Sequence, residues 1–331
     1  KAFDALRGLL PAASLSNVGI YGTGQAYEAL LLRMRSHPLP ESRYYADLML
    51  RELRKVIPSF LERVDREDRG VVWSEYLQET REDTADVVAA LFPEGSIVDP
   101  SPTVRLVDFD PEGEVKMIAS MMYPHSTMSE DQLERRVAGM NHEDRMAVAR
   151  AYVGDRRNRR HKPGRALERP FYRFDVLVDY GAFRDLQRHR MLSMDWQSLS
   201  PHHGYISSPL VNAAGMGPVY EEAMERSAAL YDLLVDDFPD QASYAINLAY
   251  KIRFNMNINA RSAMHLIELR TTPQGHPSYR EVGQEMHRLI AEEAGHTVIS
   301  EMMKFVDHTD ETDLERLQSE RRAQEKRQST K

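Results

Sequence analysis

One polar stretch carries most of the information about the fold, and it reads Arg188-His189-Arg190-Met191-Leu192-Ser193-Met194-Asp195-Trp196-Gln197-Ser198. Two arginines flank a histidine in a helix-like stretch, so three side chains that donate hydrogen bonds share one neighbourhood. Arginine forks suit a phosphate, and the imidazole suits the edge of a ring. The stretch therefore predicts a site for a planar anionic ligand. A solvated basic face that pairs with acidic helices remains the alternative interpretation.

The surrounding pattern predicts alternating strands and helices. Strands are expected at Val104–Phe109 and Phe171–Val178. Apolar spacing predicts helices over the following ranges: 22–56 with a break at Pro38 and Pro40, 130–152, 180–191, 218–237, 240–270 and 278–305. Residues 66–100 are acidic and read as irregular, and the basic residues 156–165 read as a mobile loop. The pattern indicates one chain that mixes strands with long helices.

Two motifs together resemble those of the flavin-dependent thymidylate synthases. The stretch from Arg188 to Ser198 is similar to the family's R-H-R-x-x-S-x-N-E-x-S-x-R-Y motif. The family's second motif, N-x-R-x-x-x-N-x-x-x-L-R, is matched by Asn259, Arg261, Leu269 and Arg270. The motifs stand in the family's order and separation, and the resemblance spans roughly residues 101–306.

The resemblance implies an α/β (α+β) fold with a mostly antiparallel central sheet flanked by long helices. It implies that FAD lies at a subunit or repeat interface of a homo-oligomer. It also implies reductive methylation of dUMP, with methylenetetrahydrofolate as the carbon donor and NADPH to recharge the flavin. The matched positions assign flavin contacts to Arg188, His189, Arg190, Ser193, Asn259, Arg261 and His265. They place Ser198 and Arg270 on the nucleotide side, where the arginine holds and activates the pyrimidine.

Several positions depart from the family pattern. Asp195 and Trp196 replace the first motif's Asn and Glu, and Ser200 and Pro201 replace its last Arg and Tyr. In addition, His265 replaces the second Asn of the later motif, and Asp185 stands where the family has Gln. Loss of one charge-assisted contact weakens binding by roughly 10- to 150-fold. The departures fall mostly on the nucleotide side, so we expect flavin binding to be better preserved than dUMP binding.

An internal repeat is also visible. Arg33, Arg43 and Arg51 recur as Arg270, Arg280 and Arg288 at a constant offset of 237 residues. Both sets lie in a helix, a loop with Pro or His, and a second helix. We therefore predict that residues 1–70 are the C-terminal half of a degenerate first copy, whose head lies upstream. Residues 71–100 are then a connector, 101–308 the thymidylate synthase-like domain, and 309–331 a charged tail.

Composition narrows the classes of function. With 43 Lys+Arg against 51 Asp+Glu the net charge is −8, which argues against a general nucleic-acid binder. The chain contains no cysteine, which excludes a disulfide scaffold and a cysteine nucleophile. The sequence contains no run of 18 apolar residues, so no membrane span is predicted, and no signal-peptide pattern is present. The expectation is a soluble, cytoplasmic protein.

Two other functions compete with this interpretation. The first is a flavin- or nucleotide-binding homologue that has lost thymidylate synthesis or acts on another substrate. The second is a carboxylate-bridged metal enzyme, because Glu293 and His296 have the Glu-x-x-His spacing of one helix face. Only one such motif occurs, whereas a di-iron site needs two, so no metal site is predicted. His202, His203 and His276 are candidates to replace the missing nucleotide-side donors.

Overall fold

The computed structural model describes residues 2–92 and 101–309, together with the single positions 321 and 328. The chain divides into two compact units. The first contains residues 1–12, 101–231 and 246–331, and the second contains residues 13–100 and 232–245. Most of the predicted charged tail, and the last eight residues of the predicted connector, lie outside the described residues.

A four-stranded antiparallel sheet forms the centre of the first unit. Its strands are β1 (Val104–Phe109), β2 (Phe171–Asp179), β3 (Ser193–Trp196) and β4 (Lys251–Asn259), in the order β1-β2-β4-β3. β2 pairs with β4 from Phe171↔Asn259 to Asp179↔Lys251. The predicted strands β1 and β2 are confirmed, and so is the expected antiparallel sheet flanked by helices.

The range 240–270, which was expected to be one helix, contains strand β4 instead. Along β4 the buried residues are Ile252, Phe254, Met256 and Ile258, and each is followed by a polar residue. This period of two places every second side chain on the buried face of the sheet. Burial against the neighbouring strand decided the conformation, and the helical expectation was wrong.

Helices flank this sheet. Those of the first unit are α1 (Ala2–Leu6), α6 (Gly113–Met122), α7 (Glu130–Ala138), α8 (His142–Val153), α9 (Tyr180–Leu186), α10 (Pro209–Ala213), α11 (Gly217–Leu234), α13 (Ala260–Arg270), α14 (Pro277–Glu292) and α15 (Thr297–Glu301). α14 packs on β1 and β2, and it buries Val282, Met286 and Ile290. The predicted helix over 278–305 is interrupted, because Gly295 adopts a positive φ of 68°, which favours glycine.

The second unit contains the helices α2 (Gly24–Arg35), α3 (Pro40–Leu53), α4 (Pro58–Leu61), α5 (Val72–Leu91) and α12 (Pro239–Ala242). Its core is made by Leu31, Leu32, Ala46, Leu50 and Leu61, with Val64. The expectation of an irregular segment over 66–100 was wrong for α5. No Gly or Pro interrupts residues 72–91, and nothing in that range stops a helix once it has started.

The two helix pairs of the predicted repeat have the same local design. In each pair a loop separates the helices, and a proline occupies the first turn of the second helix, at Pro40 and at Pro277. Proline is favoured there because the first turn has no intrahelical partner for its N–H. These two prolines stand 237 positions apart, which is the offset of the arginines. The duplication and its domain bounds stay predictions.

None of the described helices is both long enough and apolar enough to cross a membrane.

Candidate functional site

The segment Arg188–Arg190 follows helix α9 rather than lying on it. α9 ends at Leu186, and the His189 amide donates to the Leu186 carbonyl at 3.2 Å. The chain must leave the helix here because residues 193–196 pair with β4 as strand β3. The expected helix to Met191 was therefore too long. The consequence is that the two arginines and the histidine lie in a turn between a helix and a strand.

Helix α13 supplies the second group of side chains. Asn259 caps it, with its side-chain oxygen accepting from the Ser262 amide at 2.9 Å. Arg261 and His265 follow one helical turn apart, and Arg270 is the last helical residue. The four-residue spacing places Arg261 and His265 on the same face of the helix, and Arg270 stands at its C-terminal end. Strand β4 leads directly into α13, so the sheet fixes where the helix begins.

The two segments meet. The Arg270 Nε donates to His189 Nε2 at 3.0 Å, and the rings of His189 and His265 lie 5.7 Å apart. Both segments line one cavity of about 740 Å³. Its described lining includes seven of the sequence-predicted residues: Arg188, His189, Arg190, Asn259, Arg261, His265 and Arg270. The geometry brings them together, and their roles as ligand contacts stay predictions.

The cavity is strongly basic. Besides those residues it is lined by Arg156, Arg159, Lys162 and Arg165, and Glu168 is the single carboxylate among the described lining residues. Glu168 is already used, since it pairs with Arg261 at 2.9 Å and with Arg165 at 3.1 Å. For Arg159, Lys162 and Arg190, no carboxylate of the described residues lies within 4.0 Å. A cavity with excess fixed positive charge favours an anionic ligand.

Ser193 and Ser198 are not among the residues that line this cavity. Ser193 lies exposed on β3 opposite Asn257, and Ser198 is exposed just beyond that strand. Trp196, which replaces the motif's Glu, is 54% exposed and contacts the Phe183 ring at 5.7 Å. The first motif is therefore split, with its Arg-His-Arg half in the cavity and its serine half outside.

Arg270 is held by its own chain. Besides His189 it donates to the Asp185 carbonyl oxygen, and its Nη1 lies 3.6 Å from Asp185 Oδ1. The guanidinium also sits over the Tyr279 ring at 5.2 Å. Asp185 additionally pairs with Arg188 at 3.1 Å. The replacement of the family's Gln by Asp185 thus adds a fixed negative charge beside both arginines, which opposes binding of a further anion at Arg270.

A buried ion pair beside the cavity had no signal in the sequence. Arg156 makes two hydrogen bonds to Glu268, at 2.7 and 2.6 Å, and the side chains are 3% and 0% exposed. Arg156 Nε also donates to the His161 carbonyl at 2.8 Å. The expectation of a mobile loop over 156–165 was wrong at its start, because this pair anchors the loop to α13. The anchored loop presents Arg159 and Lys162 to the cavity.

Burial lowers the pKa of His189 to about 4, and the nearby charges of Arg270 and His265 act in the same direction. The imidazole is therefore neutral near pH 7. Since its Nε2 accepts from Arg270, the remaining proton belongs on Nδ1. His189 can offer one N–H donor to a ligand without adding a positive charge.

We expect the His189 imidazole to remain neutral as the pH falls from about 7 to about 5. A histidine with a lowered pKa in the folded state binds fewer protons than it does in the unfolded chain. Its contribution to stability is therefore lost as the pH falls from about 6.5 towards 4. Urea unfolding should be measured at pH 7 and at about pH 4.5. The free energy of unfolding should fall less between these two pH values for His189→Gln than for the parent protein. An NMR titration that protonates His189 near pH 6.5 would contradict this account.

The other histidine candidates lie elsewhere. His203 Nε2 lies 3.2 Å from Gln197 Oε1, His202 packs on Tyr231, and His276 caps helix α14. Glu293 and His296 do not share a helix face, because Gly295 breaks the helix between them. No cluster of three or more metal-ligating side chains occurs within the described residues.

Comparison with known proteins gives the family. Residues 105–295 match the family model Thy1, described as thymidylate synthase complementing protein. The chain belongs to this family, which confirms the resemblance seen in its two motifs.

Its curated relatives are longer than the chain. A UPF0159 protein of Chlamydia pneumoniae is 39% identical over 97% of this chain and 60% of its own length. UPF0159 proteins of Chlamydia muridarum and Thermoplasma acidophilum are 37% and 30% identical over 97% of this chain, and the chain covers 60% and 62% of them. The chain thus spans about three fifths of the length of these relatives.

Solved structures are similar at lower identity. The UMP/dUMP methylase PolB from Streptomyces cacaoi, bound with 5-Br dUMP, is 18% identical with a TM-score of 0.47, covering 60% of this chain and 94% of that one. Flavin-dependent thymidylate synthase ThyX from Helicobacter pylori, complexed with FAD and dUMP, is 19% identical with a TM-score of 0.43, covering 59% and 97%. The family assignment rests on the sequence match.

Proposed function

We propose that the basic cavity binds FAD and that the chain is a flavin-dependent enzyme of the thymidylate synthase type. The observation that carries the proposal is the meeting of the Arg-His-Arg turn, helix α13 and the basic loop around one cavity of about 740 Å³. Family membership supports the proposed chemistry, and the basic lining of this cavity supports placing the flavin there. A volume of this size is in the range of cofactor pockets.

The residues present fit a flavin nucleotide. Its diphosphate needs cationic donors, which the guanidinium forks of Arg190 and Arg159 and the ammonium of Lys162 offer without a competing carboxylate among the described residues within 4.0 Å. Its ring system presents acceptor atoms, and the neutral His189 offers an Nδ1–H donor. Asn259 keeps its side-chain N–H₂ free for a ligand while its oxygen caps α13. These contacts would hold the cofactor and orient its ring.

The proposed reaction is the reductive methylation of dUMP, in which methylenetetrahydrofolate provides the carbon and NADPH provides the reducing equivalents. FAD, when bound, supplies the hydride that completes the methyl group. No protein thiol is needed for this route, which suits a chain without cysteine. Arg270 is the residue proposed to hold the pyrimidine, and Ser198 is proposed as a further nucleotide contact. We also propose that the protein works as a homo-oligomer, since Ser198 and Ser193 lie outside the cavity of their own chain.

A second candidate function has its own support. Asp185 pairs with both Arg188 and Arg270, so the arginine proposed to hold the pyrimidine and its neighbour already have a counter-charge. Together with Asp195, Trp196 and Ser200 in the nucleotide motif, this favours a flavin-binding homologue that acts on another substrate or has lost thymidylate synthesis. Both candidates predict a flavin, and they differ over dUMP.

Titration of the FAD-loaded protein with dUMP separates the two candidates. A thymidylate synthase should bring dUMP next to the flavin and shift its visible absorbance, whereas dCMP at the same concentration should not. A flavin spectrum that is unchanged by dUMP would favour the second candidate. Conversion of dUMP to dTMP with methylenetetrahydrofolate and NADPH would then be expected only where the shift is seen.

A further inference from the structure

A second cavity lies in the first unit and is not used by the proposed function. It encloses about 490 Å³ between helix α1, the end of β2, the start of α9 and the start of α14. The two cavities share none of their described lining residues. Its size is that of a small-molecule pocket.

The walls of this cavity are largely apolar. They include side chains from four separate segments, among them Ala5, Leu177, Ile206 and Leu248. Such walls attract the apolar body of a ligand by removing its surface from water. Apolar walls do not orient the ligand, so its orientation must come from the polar groups of the cavity.

The polar group at the buried end is Asp179. Its side chain is 5% exposed, and its Oδ1 accepts from the Ala182 amide at 2.9 Å. Its Oδ2 has no hydrogen-bond partner among the described residues. Burial raises the pKa of Asp179, while the Ala182 amide, the Ser278 side chain and the His276 charge act in the opposite direction. A buried acceptor without a donor is costly, and a ligand that supplies the donor would remove that cost.

The Ser278 side chain is close enough to lower the pKa of Asp179, but no described residue makes a hydrogen bond to Asp179 Oδ2 within 3.5 Å. Lys251 stands opposite Asp179 in the register of β2 and β4, but the two side chains form no ion pair within 4.0 Å. The Lys251 charge instead lies near His203. The starts of α9 and α14 are capped by Asp179 and His276, whose side chains each accept from one backbone N–H, at Ala182 and at Ser278. Among the described residues that line the cavity, Asp179 Oδ2 is the one buried side-chain polar atom without a hydrogen bond, and it is an acceptor.

We propose that this cavity binds a small organic cation, an amine with an apolar body whose N–H group pairs with Asp179 Oδ2. The bound amine would lie next to Tyr279 and Asp185, which also line the cavity. The same two residues contact the Arg270 guanidinium, which lines the candidate flavin cavity. The amine site is thus one side chain away from the candidate flavin cavity.

Three probes of equal shape test the proposal: benzylamine, benzyl alcohol and benzoate, titrated into the 331-residue protein by calorimetry at about pH 7.5. We expect benzylamine to bind at least about tenfold more tightly than the other two, because benzyl alcohol carries no positive charge to pair with Asp179 and benzoate carries a negative charge. Equal affinity for the three probes, or no binding of benzylamine, would overturn the proposal.

Asp179→Asn is the decisive variant because asparagine keeps the cap on α9 while it removes the negative charge. It should weaken benzylamine about tenfold or more and leave benzyl alcohol unchanged. The matched control is Glu281→Gln, an exposed carboxylate that lines the same cavity and should have no effect. An equal loss in both variants would refute the role of Asp179. If Asp179→Asn fails to fold, the relative affinities of the three probes for the parent protein and for Glu281→Gln still show whether the cavity prefers the amine.

Discussion

Replacement of Glu268 by glutamine should lower the free energy of unfolding by about 3–5 kcal/mol, because it leaves the Arg156 charge buried without a counter-charge. The pair is almost inaccessible to solvent, with side chains 3% and 0% exposed, and is joined by two hydrogen bonds. Arg156 also lies 5.2 Å from the centre of the Phe305 ring, which offers no negative charge to replace the carboxylate. Urea unfolding followed by circular dichroism measures the loss.

The exposed pair Arg226–Glu222 provides the matched control for this prediction. It is also short, at 2.6 Å, but its side chains are 78% and 59% exposed. Glu222→Gln should therefore change the stability by less than about 1 kcal/mol. A double variant, Arg156→Met with Glu268→Leu, should recover much of the loss, because no charge is left buried. A cost below about 1 kcal/mol for Glu268→Gln would show that the pair does not anchor the basic loop.

The second large effect is expected for Arg190→Ala, which should weaken FAD binding. Among the described residues no carboxylate lies within 4.0 Å of Arg190, so its guanidinium is available to a phosphate. Removal of one charge-assisted contact costs about 1.5–3 kcal/mol, which raises the dissociation constant for FAD by roughly 10- to 150-fold. Quenching of FAD fluorescence on titration with Arg190→Ala measures the change.

Arg226→Ala is the control for Arg190→Ala, because it removes an arginine from an exposed helix position outside the cavity. It should bind FAD as the parent protein does. Retention of stoichiometric FAD by Arg190→Ala at micromolar concentrations would argue against this cavity as the flavin site. An equal loss in both variants would mean that net charge, and not the local contact, governs binding.

The sequence predicted the parts of the fold that have local patterns. β1 and β2 were recognised because apolar and polar residues alternate along them, and α11 because its apolar residues have helical spacing. The same alternation was present in Lys251–Asn259, so β4 could have been predicted from Ile252, Phe254, Met256 and Ile258. It was missed because helical spacing on both sides was extended across it.

The candidate site was predicted in part. The two motifs named seven residues that line one cavity, since motif spacing reflects the fold of the family. No local pattern could indicate the pair of Arg156 and Glu268, which are 112 positions apart. Likewise, the contact of Asp185 with Arg270 joins α9 to the end of α13, across 85 positions of the chain. Interactions between distant segments are fixed by tertiary packing, which single-sequence patterns do not contain.

FAD binding in the basic cavity is decided by titration of the purified protein with FAD. We expect saturable binding at one FAD per chain, with the bound flavin spectrum retained after dialysis and the affinity reduced in Arg190→Ala. Absence of saturable FAD binding, in a protein shown to be folded by circular dichroism, would contradict the account.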